Sequence, residues 1–304
     1  MMVFSSSESW TILSKLELSI KNKIDQCGVK LKDWDIKIYR GVLTGYNDAF
    51  IINGEKKDEL IAADPKSADL IRPILRGRDI KRYGYTFADL WIISTFPSRN
   101  YDINEFPAVR DYLLSFGLER LEQSGKKHIV DGKEVKARKK TNNKWFETQD
   151  SISYWDDFSM HKIVYAETMR VHRTGTPERF PRFSYIENGS FLDKTCFMIT
   201  GQHLLYILAI MNSSLMQYYI QHNIAVLDTG GFLMQKIYVD AFPIPSFDNE
   251  DYEPIVSLCK EVLCEQEKGN DTLDLEAQID SYVYKLFGLN NDEIEYIQSQ
   301  MLGA

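Results

Sequence analysis

An α+β fold is what this sequence predicts: a mixed, largely antiparallel sheet followed by a helical appendage at the C-terminal end. Three observations carry that expectation. Stretches with apolar residues at period two are interspersed with stretches at helical spacing, and no regular βαβ repeat orders them, which disfavours a doubly wound sheet. Phe242-Pro243-Ile244-Pro245 sets two prolines where regular strand pairing must stop, and the chain beyond has helical spacing. A chain of 304 residues that is 44% hydrophobic and 12% aromatic can also bury a substantial core, which excludes disorder.

Near the start, Trp10, Leu13, Leu16, Leu18, Ile20 and Ile24 recur at roughly helical spacing, so a helix is predicted over residues 8–26, ended by Gly28. Trp34, Ile36 and Ile38 alternate with Asp35 and Lys37, as in a half-buried strand. Gly41, Gly45 and Asn47 suit a sharp turn, because they tolerate positive φ. A second strand is then predicted over residues 49–52. Asn53-Gly54, a dipeptide favoured in two-residue hairpin turns, closes it. Further strands are predicted over residues 90–95, 161–167 and 195–199, and helices over 108–114 and 202–222. Asp131-Gly132, flanked by Ile129, Val130 and Val135, predicts a lysine-studded hairpin.

Beyond the prolines, helices are predicted over residues 251–268 and 271–287, with Gly269-Asn270 as the break. Gly288 stands where a helix C-cap is expected, and Asn290 with Glu293 has the capping-box spacing that opens a last helix. The chain thus divides into an N-terminal helical segment (1–30), a main domain (31–247) and an acidic helical appendage (248–304).

The net charge of −8 hides a sharp asymmetry. Residues 248–304 carry 3 Lys and Arg against 14 Asp and Glu, a balance of −11 that leaves +3 for residues 1–247. Residues 120–145 hold nine basic residues against three acidic ones, and residues 160–182 add a further +3. An acidic tail beside two basic stretches suits a protein that meets a polyanion on one face and another partner elsewhere, although a solvated lysine-rich loop has the same composition. The longest apolar run, Leu204 to Met211, is eight residues, far below the roughly 20 of a membrane-spanning helix. The N-terminus lacks a signal-peptide layout, and Cys27, Cys196, Cys259 and Cys264 form no disulfide framework, so a soluble, cytoplasmic, reduced protein is expected.

The sequence offers little catalytic chemistry. None of the 17 glycines stands two positions from another, so no G-x-G dinucleotide or S-adenosylmethionine loop is present, and no G-K-[ST] marks a phosphate-cradling loop. There is no C-x-x-C, and the five histidines form no H-E-x-x-H, which speaks against a zinc site. Asp228-Thr229-Gly230 resembles an aspartic-protease motif, but that mechanism needs two such carboxylates and one copy is present. Asp131 with Glu134-Val135-Lys136 has the E-x-K pattern of Mg-dependent nucleases, and competes with the simpler reading as a hairpin.

Gly41-Val42-Leu43-Thr44-Gly45-Tyr46-Asn47-Asp48-Ala49-Phe50-Ile51 closely resembles the G-[IV]-x-T-G-x-N-D-A-F-I signature of the TaqI-like specificity domain, the DNA target-recognition part of bifunctional restriction-modification enzymes. Further blocks follow in the family's order: Asp64-Pro65 with Ser67, Arg72-Pro73, Leu75-Arg76-Gly77-Arg78-Asp79-Ile80 with Tyr83, Lys144-Trp145-Phe146-Glu147 and Lys162-Ile163-Val164-Tyr165. Asn212-Ser213 with Leu215, Phe242-Pro243-Ile244-Pro245, and Ile279-Asp280 through Leu289 complete the series, although Met211 replaces the usual Leu. The resemblance implies that residues 31–247 are a DNA target-recognition domain for type IIG or IIS restriction enzymes active in phage defence. In the family an upstream methyltransferase, often behind a nuclease, binds S-adenosylmethionine and carries an N-P-P-[YF] motif, and this chain contains no Pro-Pro.

The sequence therefore reads as a recognition half, a fragment or a separately encoded subunit, that selects double-stranded DNA without modifying it. Its partner is a methyltransferase or nuclease domain of the same or another chain. No catalytic or metal-binding residue and no cofactor is assigned here, with S-adenosylmethionine and Mg expected only on the absent or partner domains. The alternatives are a Mg-dependent nuclease in its own right and an assembly subunit of a phage-defence methyltransferase system, the latter favoured by the acidic tail.

Phosphate contacts are expected from Lys126, Lys127, Lys133, Lys136, Arg138, Lys139, Lys140 and Lys144. Arg76 and Arg78 flank Gly77 and either clasp a phosphate or form internal salt bridges with residues such as Asp79. Base readout is assigned to Glu167, Arg170 and Arg173, an acceptor and two bidentate donors ahead of Thr174-Gly175, unless Glu167 and Arg170 simply pair with each other.

Overall fold

The computed structural model describes residues 13–171, 179–187, 189–228, 230–247 and 249–301. Helix α1 (Lys15–Cys27) opens with a capping box between Ser14 and Glu17 and buries Ile20 and Ile24. Two strands follow, β1 (Gly28–Lys30) and β2 (Ile36–Arg40). The segment predicted as one strand over 49–52 splits into a helical turn, α2 (Asn47–Phe50), and β3 (Ile51–Asn53). Asn53-Gly54 is not a hairpin turn. Asn53 has a φ of −83° and caps α3 (Gly54–Ala63) by accepting the Lys56 N–H, the other role in which Asn excels.

After β4 (Ile71–Leu75) and β5 (Leu90–Ile93) come α4 (Pro107–Leu114), α5 (Leu118–Leu121) and the predicted hairpin, β6 (Lys127–Val130) with β7 (Lys133–Lys136). Its turn is Asp131-Gly132, both at positive φ (49° and 75°), as the sequence requires. Next are β8 (Lys162–Ala166), β9 (Thr168–Arg170), β10 (Phe183–Ile186), β11 (Phe191–Leu192) and β12 (Cys196–Gly201).

The run predicted as one helix over 202–222 is two, α6 (Leu204–Asn212) and α7 (Ser214–Asn223), broken because Ser213 caps α7. The buried Asn212 side chain meanwhile accepts the Phe183 N–H (3.0 Å) and donates to the Phe183 carbonyl (2.9 Å). Then follow β13 (Gly231–Leu233), α8 (Lys236–Val239) and β14 (Pro243–Pro245), where the prolines do not stop pairing as expected, because β14 is one edge of a two-stranded pair with β1. The predicted C-terminal helices are α9 (Asn249–Glu267), α10 (Leu273–Leu286) and α11 (Asn291–Ser299), the last with the Asn290–Glu293 capping box.

The strands form two four-stranded sheets, ordered β10-β8-β12-β2 and β11-β4-β5-β3, together with the small pairs β1–β14, β9–β13 and β6–β7. Every pairing is antiparallel except β11 with β4, which makes the second sheet mixed. The first sheet is covered on both faces, and its alternation shows how. Ile163, Tyr165, Phe197 and Ile199 face a helical layer of α1, α6, α7, α9, α10 and α11, while Val164 and Met198 face Ile74, Ile92 and Leu192 of the second sheet. A third cluster, including Ile52, Ile93, Val109 and Leu113, joins the second sheet to α3 and α4. Lys162, at the start of β8, is fully buried, its ammonium donating to the carbonyls of Phe158 (2.7 Å) and Met160 (3.2 Å). Burial pushes its pKa down to about 8.

Candidate nucleic-acid interface

Two basic features stand out, an arginine-lined cleft and the β6–β7 hairpin, and the Gly41–Ile51 block joins them. Gly41 has no room for a side chain, because a Cβ would lie 2.0 Å from the Asp193 carbonyl oxygen beside the cleft. Three residues on, about 10 Å of extended chain, the Thr44 carbonyl accepts Arg138 Nη1 at 3.0 Å at the foot of the hairpin. Thr44 is buried and its hydroxyl donates to Asn47 Oδ1 at 2.6 Å, while Gly45 takes a φ of 81°. The block is scaffold, fixing one basic feature relative to the other.

The cleft, about 470 Å³, is lined by Arg76, Gly77 and Arg78, by Ala166 through Thr168, by Arg170 and Arg182, and by Asp193, Thr195 and Leu227. Four of the predicted residues therefore converge across some 90 positions of sequence: Arg76, Arg78, Glu167 and Arg170. The peptide leaves β8 at Glu167, whose N–H donates to the Thr195 carbonyl (2.8 Å), and continues as β9, paired with β13. On β9 Met169 is fully buried while Thr168 and Arg170 are exposed, so period two aims Arg170 outward. Among the described residues no carboxylate pairs with Arg170. Arg173 and Thr174-Gly175 lie outside the described residues.

Glu167 does not pair with Arg170. Both its carboxylate oxygens accept from Arg40 Nη2 at 2.9 Å, and Arg40 Nε donates to the Lys194 carbonyl. Arg76 takes the internal alternative: Nε and Nη2 grip Asp79 at 3.0 and 2.9 Å, and its own N–H donates to Asp79 Oδ2 at 2.8 Å. That carboxylate holds the Arg76 guanidinium above its usual pKa. Arg76 is therefore corrected from a phosphate clamp to a brace of the cleft wall, and exposed Arg78 is its outward neighbour. The Gly77 N–H donates to Thr195 Oγ1 (2.9 Å), and burial raises the Asp193 carboxyl against the lowering effect of its Thr195 bonds.

One cleft residue, and the partner of another, escaped the sequence reading. Arg182, 8% exposed, donates from Nη2 to the Arg170 carbonyl at 2.8 Å, and Arg40 orients Glu167. Arg182 was visible only as one charge within the basic stretch 160–182, and nothing in the sequence singled out Arg40. A pairing that spans 127 residues leaves no local signal.

The hairpin lysines Lys126, Lys127, Lys133 and Lys136, with Lys139, Lys140 and Lys144 beside it, are exposed. Lys127 pairs with Glu134 across the strands at 3.0 Å in solvent, and Ile129 opposite Glu134 is 74% exposed. The E-x-K carboxylate thus sits on an open lysine-studded hairpin. Among the described residues no group of three or more His, Cys, Asp or Glu side chains is arranged to hold a metal ion.

Arg138 requires correction. It is 2% exposed and donates to four carbonyls, of Leu121 (2.7 Å), Thr44 (3.0 Å), Glu147 (2.7 Å) and Trp145 (2.6 Å). Its guanidinium also lies 4.9 Å from the Phe50 ring, and burial pushes its pKa down to about 10. A guanidinium so enclosed cannot reach a phosphate. Trp145 packs against the third core cluster rather than standing out as a stacking platform.

A family model for the TaqI-like C-terminal specificity domain matches residues 72–244, more than half of the chain and every residue that lines the cleft. The chain belongs to this family. Among solved structures, this specificity domain is similar to the type IIL restriction-modification enzyme MmeI, solved in complex with DNA, at a TM-score of 0.59 and 13% identity. That match covers 89% of this chain and 36% of MmeI. The type IIG restriction endonuclease BpuSI aligns over 90% of this chain and 32% of its own, at a TM-score of 0.49 and 13% identity. At such identity the likeness to MmeI shows the fold, and the specificity domain spans about a third of either enzyme. No described helix is long and apolar enough to cross a membrane.

Proposed function

We propose that this specificity domain reads a specific sequence in double-stranded DNA on behalf of a restriction-modification enzyme, and leaves the chemistry to a methyltransferase or nuclease part of the same or a partner chain. The observation that carries the proposal is the open cleft in which Arg170, on an anchored strand, projects beside Arg78 and a Glu167 oriented by Arg40. Arg170 is a bidentate donor suited to the guanine edge, and Glu167 an acceptor suited to the cytosine amino group. The lysines of the hairpin supply affinity without sequence choice by meeting phosphates. S-adenosylmethionine and Mg belong, on this reading, to the catalytic part.

Binding selections on randomised duplexes test it. Arg170→Ala should lower discrimination by about 1–3 kcal/mol at one position of the selected site and leave the others intact. An Arg170→Ala protein that keeps the parent's preference at every position removes the cleft from the reading surface. Mg-dependent cleavage by the chain alone would refute the division of labour.

A further inference from the structure

Beside the cleft, Glu276 of α10 is 3% exposed and sits among guanidinium groups. Its Oε2 accepts from Arg82 Nε at 2.6 Å, and its Oε1 accepts from Arg179 Nη1 at 2.6 Å and from Thr272 Oγ1 at 2.9 Å. Arg82 is itself mostly buried, and its Nη1 donates to the Pro181 carbonyl at 3.0 Å. The next residue is Arg182, whose Nη2 holds the Arg170 carbonyl at 2.8 Å and whose N–H points at Met169 Sδ at 3.5 Å. Arg182 lines both the cleft and the depression around Glu276. A continuous run of polar contacts therefore leads from a carboxylate in the acidic C-terminal helices to the backbone of the strand that presents Arg170.

We infer that Glu276 is a positioning residue for base selection: through Arg82 and the Pro181-Arg182 peptide it fixes where β9 holds Arg170. This rests on the reading of the cleft as the base-reading surface. The physical reason is the burial of the carboxylate. A carboxylate this enclosed holds its guanidinium partners in one geometry, and neutralising it deprives the largely desolvated Arg82 of the charge it hydrogen-bonds, which drives Arg82 toward another position. Arg82 bonds Pro181, so its movement displaces the peptide that carries Arg182. A bidentate contact tolerates only a few tenths of an ångström in donor-acceptor distance, so a small displacement of Arg170 registers as lost discrimination.

The test compares sequence preferences and thermal midpoints of the full chain with those of Glu276→Gln, Arg170→Ala and the double variant. Expected is a roughly three- to tenfold loss of preference in Glu276→Gln, confined to the base position that Arg170→Ala affects. The double variant should discriminate no worse than Arg170→Ala alone, because both changes act on one contact. Uniform weakening on all duplexes, an unchanged preference, or losses that simply add would each overturn the inference while leaving the cleft reading intact. If Arg170→Ala itself changes no preference, the cleft reading falls and the inference with it. Should Glu276→Gln fail to fold, Arg82→Lys decides on the same criteria: it keeps a positive charge beside Glu276 but replaces the fork that spans Glu276 and the Pro181 carbonyl with a single ammonium.

Discussion

Replacing Arg138 with Ala separates two roles that a basic residue in a lysine run can play. In this fold the guanidinium serves four carbonyls. Those of Thr44 and Glu147 keep a second donor, the Gln149 N–H at 3.2 Å and Gln123 Nε2 at 3.0 Å. Those of Leu121 and Trp145 lose the Arg138 donor. The buried Leu121 carbonyl left without a partner costs about 1–3 kcal/mol, the half-buried Trp145 carbonyl less, and the vacated volume beside Phe50 adds to that. Relief of a desolvated charge offsets part of it, so a destabilisation of about 3–5 kcal/mol is expected. Lys136→Ala, on the exposed hairpin, should stay within about 0.5 kcal/mol of the parent. Urea unfolding followed by tryptophan fluorescence measures both. An Arg138→Ala protein with the parent's midpoint, but with weaker salt dependence of DNA binding, would refute the structural role and restore Arg138 to the phosphate surface.

With Arg138 removed from the phosphate set, Lys136→Ala, Lys139→Ala and Lys140→Ala combined should lower the slope of log K against log salt by about 2.7, from roughly 0.9 per contact; an unchanged slope would mean these lysines stay solvated in the complex. Lys162 titrates in the folded chain near pH 8 and in the unfolded chain near its usual value, about 10.4. Between those limits the unfolded chain binds more protons, so this residue makes stability rise with pH over that window. The buried thiols of Cys196 and Cys259 have raised pKa values and act in the opposite sense, so the informative quantity is the difference between parent and Lys162→Met. The parent's stability should gain on the variant's between about pH 8 and 10, and parallel curves would refute the assignment.

The elements whose cues are local were legible in the sequence. The Asp131-Gly132 turn, the Asn290–Glu293 capping box and the break at Gly269 depend on a few neighbouring residues, and each is found in its expected place. Asn53-Gly54 misled because Asn suits both a hairpin turn and an N-cap. The choice was made by Gly54 fitting against the Asp89 carboxylate, where a Cβ would lie 2.1 Å from an oxygen. The break between α6 and α7 was hidden for a related reason: Asn212 is drawn to Phe183, and Asp280, 66 residues away, accepts the Ser214 N–H. In the cleft, the residue types were readable but their pairings were not. Glu167 finds Arg40 and Arg76 finds Asp79, and only packing could show that Arg138, alone among its basic neighbours, points inward.

The alternation along β9 carries a further meaning for how such a chain changes over time. Met169 anchors the strand in the core, while Thr168 and Arg170 on either side of it are exposed to the cleft. Drift at those two positions leaves the buried framework untouched, so new target preferences can be sampled by single substitutions without passing through unfolded intermediates. The Arg182 bond to the Arg170 backbone carbonyl supports the same freedom, because it holds the strand whatever side chain stands at position 170.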